Sequence, residues 1–509
     1  MKKSLRIFAA VLAVFCALAS CENSSLPSDS PSSAETTVSN VSSEETSSEE
    51  TSSQTSSEAP PESSDASSEA PSESSVTSSE NADDDSDLSE KDRFYKDIYS
   101  LVRLENEVTP SELPSIKEML YANHPNFLLT DDGKLYSYGF NGLGGLGQKF
   151  YNKDKNNQFW EQWTGLPHLM DIDEKIEHIY GCTREYTFAA LTESGKLYGW
   201  GNNRYGIIPS EDNIVSTPTL INFDQKILAA GISQMFLIVL AEDGNAYYCG
   251  WKGLGSKYAF AEIDEYPDIC RNDSYMDFRK IEVPGGESVQ SVFCSQNYCG
   301  VLTESGKVYL LGQFPKYESP TPKPKDTEGF YLFEVRSPEP IVQVAPGGVW
   351  LILLSESGKL YYTGEWGYMA GGEAEDYSSK LIELNFLDDV VEIKGSTLAI
   401  LARTKDGSIY FWGSNNAYEN GRIIPGMDKV VNQPQKLPVP EKAGKMFIGC
   451  YNVFVFGQSG DIWGFGSSFG NRFLTRSADQ LKPYPQSDDV QTPYKMPIFA
   501  KPSYPDYFL

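Results

Sequence analysis

Between Phe188 and Gly201 the chain reads FAALTESGKLYGWG: an apolar run, a polar quartet closed by Gly195, and a second run in which large and small residues alternate. Two short apolar runs joined by a glycine-containing polar turn predict a β-hairpin, in which Leu197 and Tyr198 point to opposite faces. The same hairpin recurs along the chain, each copy with a turn glycine and, six residues later, a strand-ending glycine: Gly133/Gly139, Gly195/Gly201, Gly244/Gly250, Gly306/Gly312, Gly358/Gly364, Gly407/Gly413 and Gly460/Gly466. Seven copies, 49 to 62 residues apart, predict a repeat architecture.

The flanks repeat as well. An apolar strand is expected before each hairpin, at Ile116–Tyr121, Ile176–Tyr180, Ile227–Ala230, Val289–Phe293, Ile341–Ala345, Val391–Lys394 and Lys445–Ile448, and a fourth near Leu166, Leu220, Ile281, Phe333, Leu381, Leu437 and Ile498. Four short strands in each of seven units predict an all-β fold, a seven-bladed β-propeller of four-stranded antiparallel blades over 109–509. The last blade is expected to close with Met496–Ala500. Glycine at each hairpin turn supplies the positive φ that a tight turn needs.

The pattern Leu-Thr-x-x-Gly-x-Leu-Tyr-x-Trp-Gly-x-Asn-x-x-Gly resembles the repeats of the regulator of chromosome condensation family. Unit one carries it as Leu129-Thr130, Gly133, Leu135-Tyr136, Gly139, Asn141 and Gly145-Leu146-Gly147; unit two as Leu191-Thr192, Gly195, Leu197-Tyr198, Trp200-Gly201 and Asn203. Units three to five lose the Trp-Gly-x-Asn part, and unit six regains it at Trp412-Gly413-Ser414-Asn415. The resemblance covers about 110–509 and implies a seven-bladed propeller. Some family members exchange guanine nucleotides on small GTPases, but no catalytic position of theirs maps onto a residue here.

Ahead of the repeats the pattern changes. Lys2, Lys3 and Arg6 precede an apolar run from Ile7 to Ala19, which predicts a secretion signal over 1–20. Its end, Leu18-Ala19-Ser20-Cys21, resembles the bacterial lipobox and implies lipidation at Cys21, with the mature chain anchored on the extracellular side of the bacterial membrane. Residues 21–88 are rich in Ser, Glu and Pro with hardly an aromatic or large aliphatic residue, a composition that predicts a disordered linker. From Ser89, an N-cap residue followed by acids and by Phe94, Ile98, Leu101 and Val102 on one face predicts a short helix over 89–108.

The formal net charge is −29, too acidic for a nucleic-acid partner. Much of it is local: Glu22–Glu90 holds 18 carboxylates, and Lys91–Leu509 carries only −14. Cys182, Cys249, Cys270, Cys294, Cys299 and Cys450 are too few for a disulfide scaffold, and the C-x4-C pair at 294 and 299 reads either as a lone bridge or as thiols. His124, His168 and His178 stand in no metal-binding spacing, so no metal is expected. Gly142, Gly144 and Gly147 spell G-x-G-x-x-G, but the repeat itself demands these glycines and no amphipathic helix follows; no cofactor is expected. The acid clusters Glu373/Glu375/Asp376 and Asp388/Asp389 read as solvated surface rather than as a glycosidase pair.

The units differ most in the segment after each hairpin, long in several of them: Gln148–Trp163, Trp251–Phe278, Gln313–Phe330, Glu365–Tyr377 and Ser467–Pro493. In a four-stranded antiparallel blade these connections all leave one face of the ring, where repeat proteins bind. Their aromatics, Tyr151, Trp160, Trp163, Tyr258, Tyr266, Trp366 and Tyr368, are the expected binding residues, with folding back as small cores beneath their own loops the alternative. The functional expectation is a non-catalytic protein-binding module; the alternative is glycan binding or a glycosidase whose sugar stacks on Trp160, Trp163 or Trp366.

Overall fold

The computed structural model describes residues 100–101, 107–122, 125–148, 162–182, 186–252, 274–312, 332–365, 367–371, 378–416, 422–467, 471–481 and 489–497. They form an all-β ring of seven antiparallel blades, each with its strands in chain order from inner to outer. The second blade shows the unit: Ile176–Gly181, Thr187–Thr192, Leu197–Asn202 and Ile214–Ile221. The other inner strands are Ile116–Tyr121, Ile227–Ile232, Val289–Cys294, Ile341–Pro346, Val390–Gly395 and Ala443–Ile448.

The second strand of every blade is buried on both sides, from Phe127-Leu128-Leu129 in blade one to Val453-Phe454-Val455 in blade seven. Such a strand lies between two neighbouring blades, so it reads as a continuous apolar run rather than an alternating one. An outer strand with one side in water is far more exposed: Val430–Lys436 (VVNQPQK) buries only Val431 fully. Apolar clusters fill the seams between blades one and two (Phe127, Phe188, Trp200), two to four, four and five, five to seven, and seven and one.

Blades one and seven each take all four propeller strands from one continuous segment, so the described strands close the ring through side chains. Tyr121 of blade one packs on Phe454 of blade seven with ring centroids 4.2 Å apart. The Tyr121 and Tyr138 hydroxyls meet at 2.5 Å and both approach the Arg472 carbonyl, at 3.2 and 2.7 Å.

Two expectations are corrected. Leu101, assigned to a helix face, lies in the strand Ser100–Leu101, which pairs in parallel with Gln162–Trp163 as a fifth strand on blade one. A sheet edge offers a row of backbone donors and acceptors, and that outweighs weak capping signals in a short segment. Residues 89–99 and 102–106 lie outside the described ones, as do the signal, Cys21 and the linker. The last outer strand is Asp489–Lys495, not Met496–Ala500. Its register is set by a bulge between Gly464 and Gly466, the place where most other blades carry theirs, and Met496 follows it with an N–H bond to the Ile462 carbonyl.

Candidate functional site: the long-loop face

Strand direction fixes two unlike faces. Connections from second to third strands are four residues each, at 131–134, 193–196, 242–245, 304–307, 356–359, 405–408 and 458–461. Connections from third to fourth strands leave the opposite face, run from 203–213 at the shortest to 252–273 at the longest, and are joined there by the short first-to-second links. All seven long connections therefore spring from one face.

The short-turn face is tied to itself. Ser194 and Lys196 bond Glu174 at 2.5 and 2.7 Å, lowering its carboxyl pKa, Lys196 first and Ser194 next. Glu287 repeats this with Lys307 and Ser305, and Glu339 with Ser357 and Tyr361. Glu441 accepts from the Ser459 hydroxyl and the Trp463 indole at 2.9 and 2.8 Å. Each acid stands in the link to its own inner strand and clasps a hairpin of the same blade. Asp388 and Asp389 are exposed on this face.

On the long-loop face, buried asparagines organise the loop bases. Asn415 donates to the carbonyls of Ile424, Met427 and Asp428 at 3.0 to 3.3 Å and accepts from the Ile424 N–H at 2.7 Å. Asn203 does the same with Ile208, Ser210 and Asp212, and Asn141 accepts from the Leu146 N–H. Asn471 is a fourth such residue, donating to Gly165 at 2.7 Å and accepting from the Arg476 N–H. The sequence reading missed it because it lies five residues past Gly466 rather than two.

The repeat tryptophans fasten one blade's loop to the next blade. The Trp200 indole donates to the Gly145 carbonyl at 2.9 Å, and Trp412 to Met369 at 3.1 Å. At Gly147, φ is +65° and a Cβ would lie 2.4 Å from Met170 and 3.2 Å from Trp200. The glycines of G-x-G-x-x-G are thus used up in closing a loop against its neighbour.

Of the expected binding residues, Trp163 is corrected: it lies in the outer strand Gln162–Leu169 and is 1% exposed, stacked on Phe140 at 6.1 Å. Tyr368 falls on the short turn Gly367–Ala370. Tyr151, Trp160, Tyr258, Tyr266 and Trp366 lie outside the described residues, as do Glu373, Glu375 and Asp376. His178 meets Glu118 of the neighbouring blade at 3.2 Å beside the central channel.

At the centre of the same face the inner strands of blades two to six enclose a cavity of about 340 Å³. Close approach of these strands depends on small residues: a Cβ on Gly231 would come within 2.9 Å of the Cys294 nitrogen, and one on Gly395 within 2.8 Å of the Pro346 carbonyl oxygen.

The regulator of chromosome condensation (RCC1) repeat profile matches residues 185–207. The human regulator of chromosome condensation is 23% identical over 58% of this chain and 70% of its own length. The ultraviolet-B receptor UVR8 of Arabidopsis thaliana is 25% identical over 59% of this chain and 65% of its own. Among solved structures, yeast RCC1 (Prp20), described bound to Kap60, superposes with a TM-score of 0.55 at 17% identity over 78% of this chain and 88% of its own. A second structure of Prp20p, from Saccharomyces cerevisiae, described with its binding to Gsp1p and histones, gives 0.54. By sequence and by architecture, the chain carries a regulator of chromosome condensation repeat within a seven-bladed propeller.

Proposed function

We propose that this protein is a non-catalytic, surface-anchored binding module that engages another protein through the long-loop face. The carrying observation is the asymmetry of the ring: seven long connections on one face, and on the other four-residue turns, four of them clasped by an acid from the adjoining link. Variable loops on a rigid scaffold are where repeat proteins recognise partners. The protein-bound and protein-binding propellers of similar architecture support the reading. A diacylglycerol on Cys21 and the Ser/Glu-rich stalk would hold the ring away from the membrane.

Photocrosslinking residues placed one at a time in the full chain test the face. Positions Arg204, Gln296 and Arg476 on the long-loop side should capture one and the same protein from cells, and Glu193, Glu304 and Lys405 on the other side should not. Capture confined to the second set, or from neither, would overturn the proposal. Anchoring is tested separately: labelled fatty acid should enter the wild-type chain and not Cys21→Ser.

A further inference from the structure

The central cavity differs from its surroundings in charge. The chain holds 71 Asp and Glu against 42 Lys and Arg, yet the described residues lining the cavity include no carboxylate and one ionised side chain, Lys394. Lys394 is only loosely drawn to an acid. Glu392 Oε1 is 3.9 Å from its Nζ, while Glu392 Oε2 is taken by Arg403 at 2.9 Å. The rest of the wall is mixed: Val292, Val344 and Pro346, each partly exposed, come from two blades, glycine backbone and Ser295, Ser396 and Thr397 make up much of the remainder, and Gln343 Oε1 accepts from the Ile393 N–H at 2.9 Å.

A volume of about 340 Å³ falls in the range of small-ligand sites, ~300 to 1,000 Å³. One cation beside a wall that is apolar in part suits a ligand that has an apolar body and a single acidic group. Insertion of the body expels water from the ammonium, and the ion pair strengthens as the local dielectric falls. An inorganic phosphate would gain nothing from the three apolar side chains, and a cation would meet Lys394.

We propose that the channel mouth between blades two and six is a binding site for a small organic anion, its carboxylate or sulfonate on Lys394 and its hydrocarbon part against Val344 and Pro346. This goes beyond the protein-binding proposal and stands whether or not the loops hold a partner.

A matched pair of probes isolates the charge: 8-anilinonaphthalene-1-sulfonate and its uncharged counterpart N-phenyl-1-naphthylamine, titrated into the full-length protein by fluorescence. The sulfonate should bind once per chain and about tenfold more tightly than the neutral probe, the ratio expected for one charge-assisted contact. Lys394→Gln should erase that preference and Lys394→Arg keep it, each with an unchanged thermal midpoint because the side chain is half exposed. Equal affinity for the two probes, many sulfonates bound per chain, or an unaltered preference in Lys394→Gln would each overturn the assignment.

Discussion

The indole N–H of Trp200, on the third strand of blade two, donates a 2.9 Å hydrogen bond to the carbonyl of Gly145 in the loop of blade one. Both ends are buried, and Phe127 and Phe188 pack on the same indole at 5.7 and 6.3 Å. Trp200→Phe keeps much of the ring packing but leaves a buried carbonyl without its donor, a loss of about 1 to 2 kcal/mol. Trp200→Ala also empties the seam and should cost about 3 to 5 kcal/mol. Urea unfolding of the three proteins checks both figures; a Phe variant as unstable as the Ala variant would mean the hydrogen bond, not the packing, carries the seam.

Two glycines with similar backbone demands should respond differently to alanine. Gly201 has φ +100° and its Cβ would sit 1.8 Å from the Tyr186 carbonyl oxygen, whereas Gly426 has φ +83° and nothing within 4 Å. Gly426→Ala meets only the left-handed backbone penalty, about 1 to 2 kcal/mol. Gly201→Ala meets that and a backbone collision, roughly 3 to 5 kcal/mol or loss of soluble protein. Equal losses in thermal melting would show that space at Gly201 is not what selects glycine.

The ring and its inner strands were legible in the sequence because they rest on strong local constraints. A glycine pair brackets each hairpin, and the expected Ile116–Tyr121 coincides with the observed strand. Outer strands were less legible since Val430–Lys436 is half solvated and its pattern resembles a loop. Trp163 was misplaced because the outer strand of blade one begins at Gln162, and its burial depends on neighbours far along the chain, so a residue taken for loop is core. Asn471 escaped because an extra segment separates it from Gly466, although it accepts from the N–H five residues on, as Asn203 does. The strand at Ser100–Leu101 depends on an edge far along the chain, which no local pattern encodes.

The hairpin turn of blade six carries a pH signature. The Thr404 hydroxyl at 2.7 Å, then the Ser408 N–H and hydroxyl, each at 3.0 Å, hold the Asp406 carboxyl at about 2, below its ordinary 3.8. A depressed folded-state value means the stabilisation is present above pH ~4 and is lost as pH falls from about 4 to 2. Asp406→Asn removes the charge at every pH. The stability gap between wild type and variant, from urea midpoints, should be constant above pH 5 and close toward pH 2. A gap that stays constant down to pH 2 would contradict the assignment.

Ring closure depends on two tyrosines sharing one acceptor. Tyr138 donates to the Arg472 carbonyl at 2.7 Å, and Tyr121 lies 3.2 Å from that oxygen and 2.5 Å from the Tyr138 hydroxyl. Burial raises both phenol pKa values above the ordinary range, so both stay protonated. Removing either hydroxyl leaves the other a partner, whereas removing both leaves the carbonyl without either donor. The energies should therefore not add. Tyr121→Phe and Tyr138→Phe are each expected to cost about 1 kcal/mol, and the double variant to differ from their sum by at least about 0.5 kcal/mol. Because the pair joins the first blade to the last, amide exchange at Ile116–Tyr121 and Ala443–Ile448 should quicken more than at Ile227–Ile232. Additive energies, or exchange that quickens evenly round the ring, would remove the two hydroxyls from the closure.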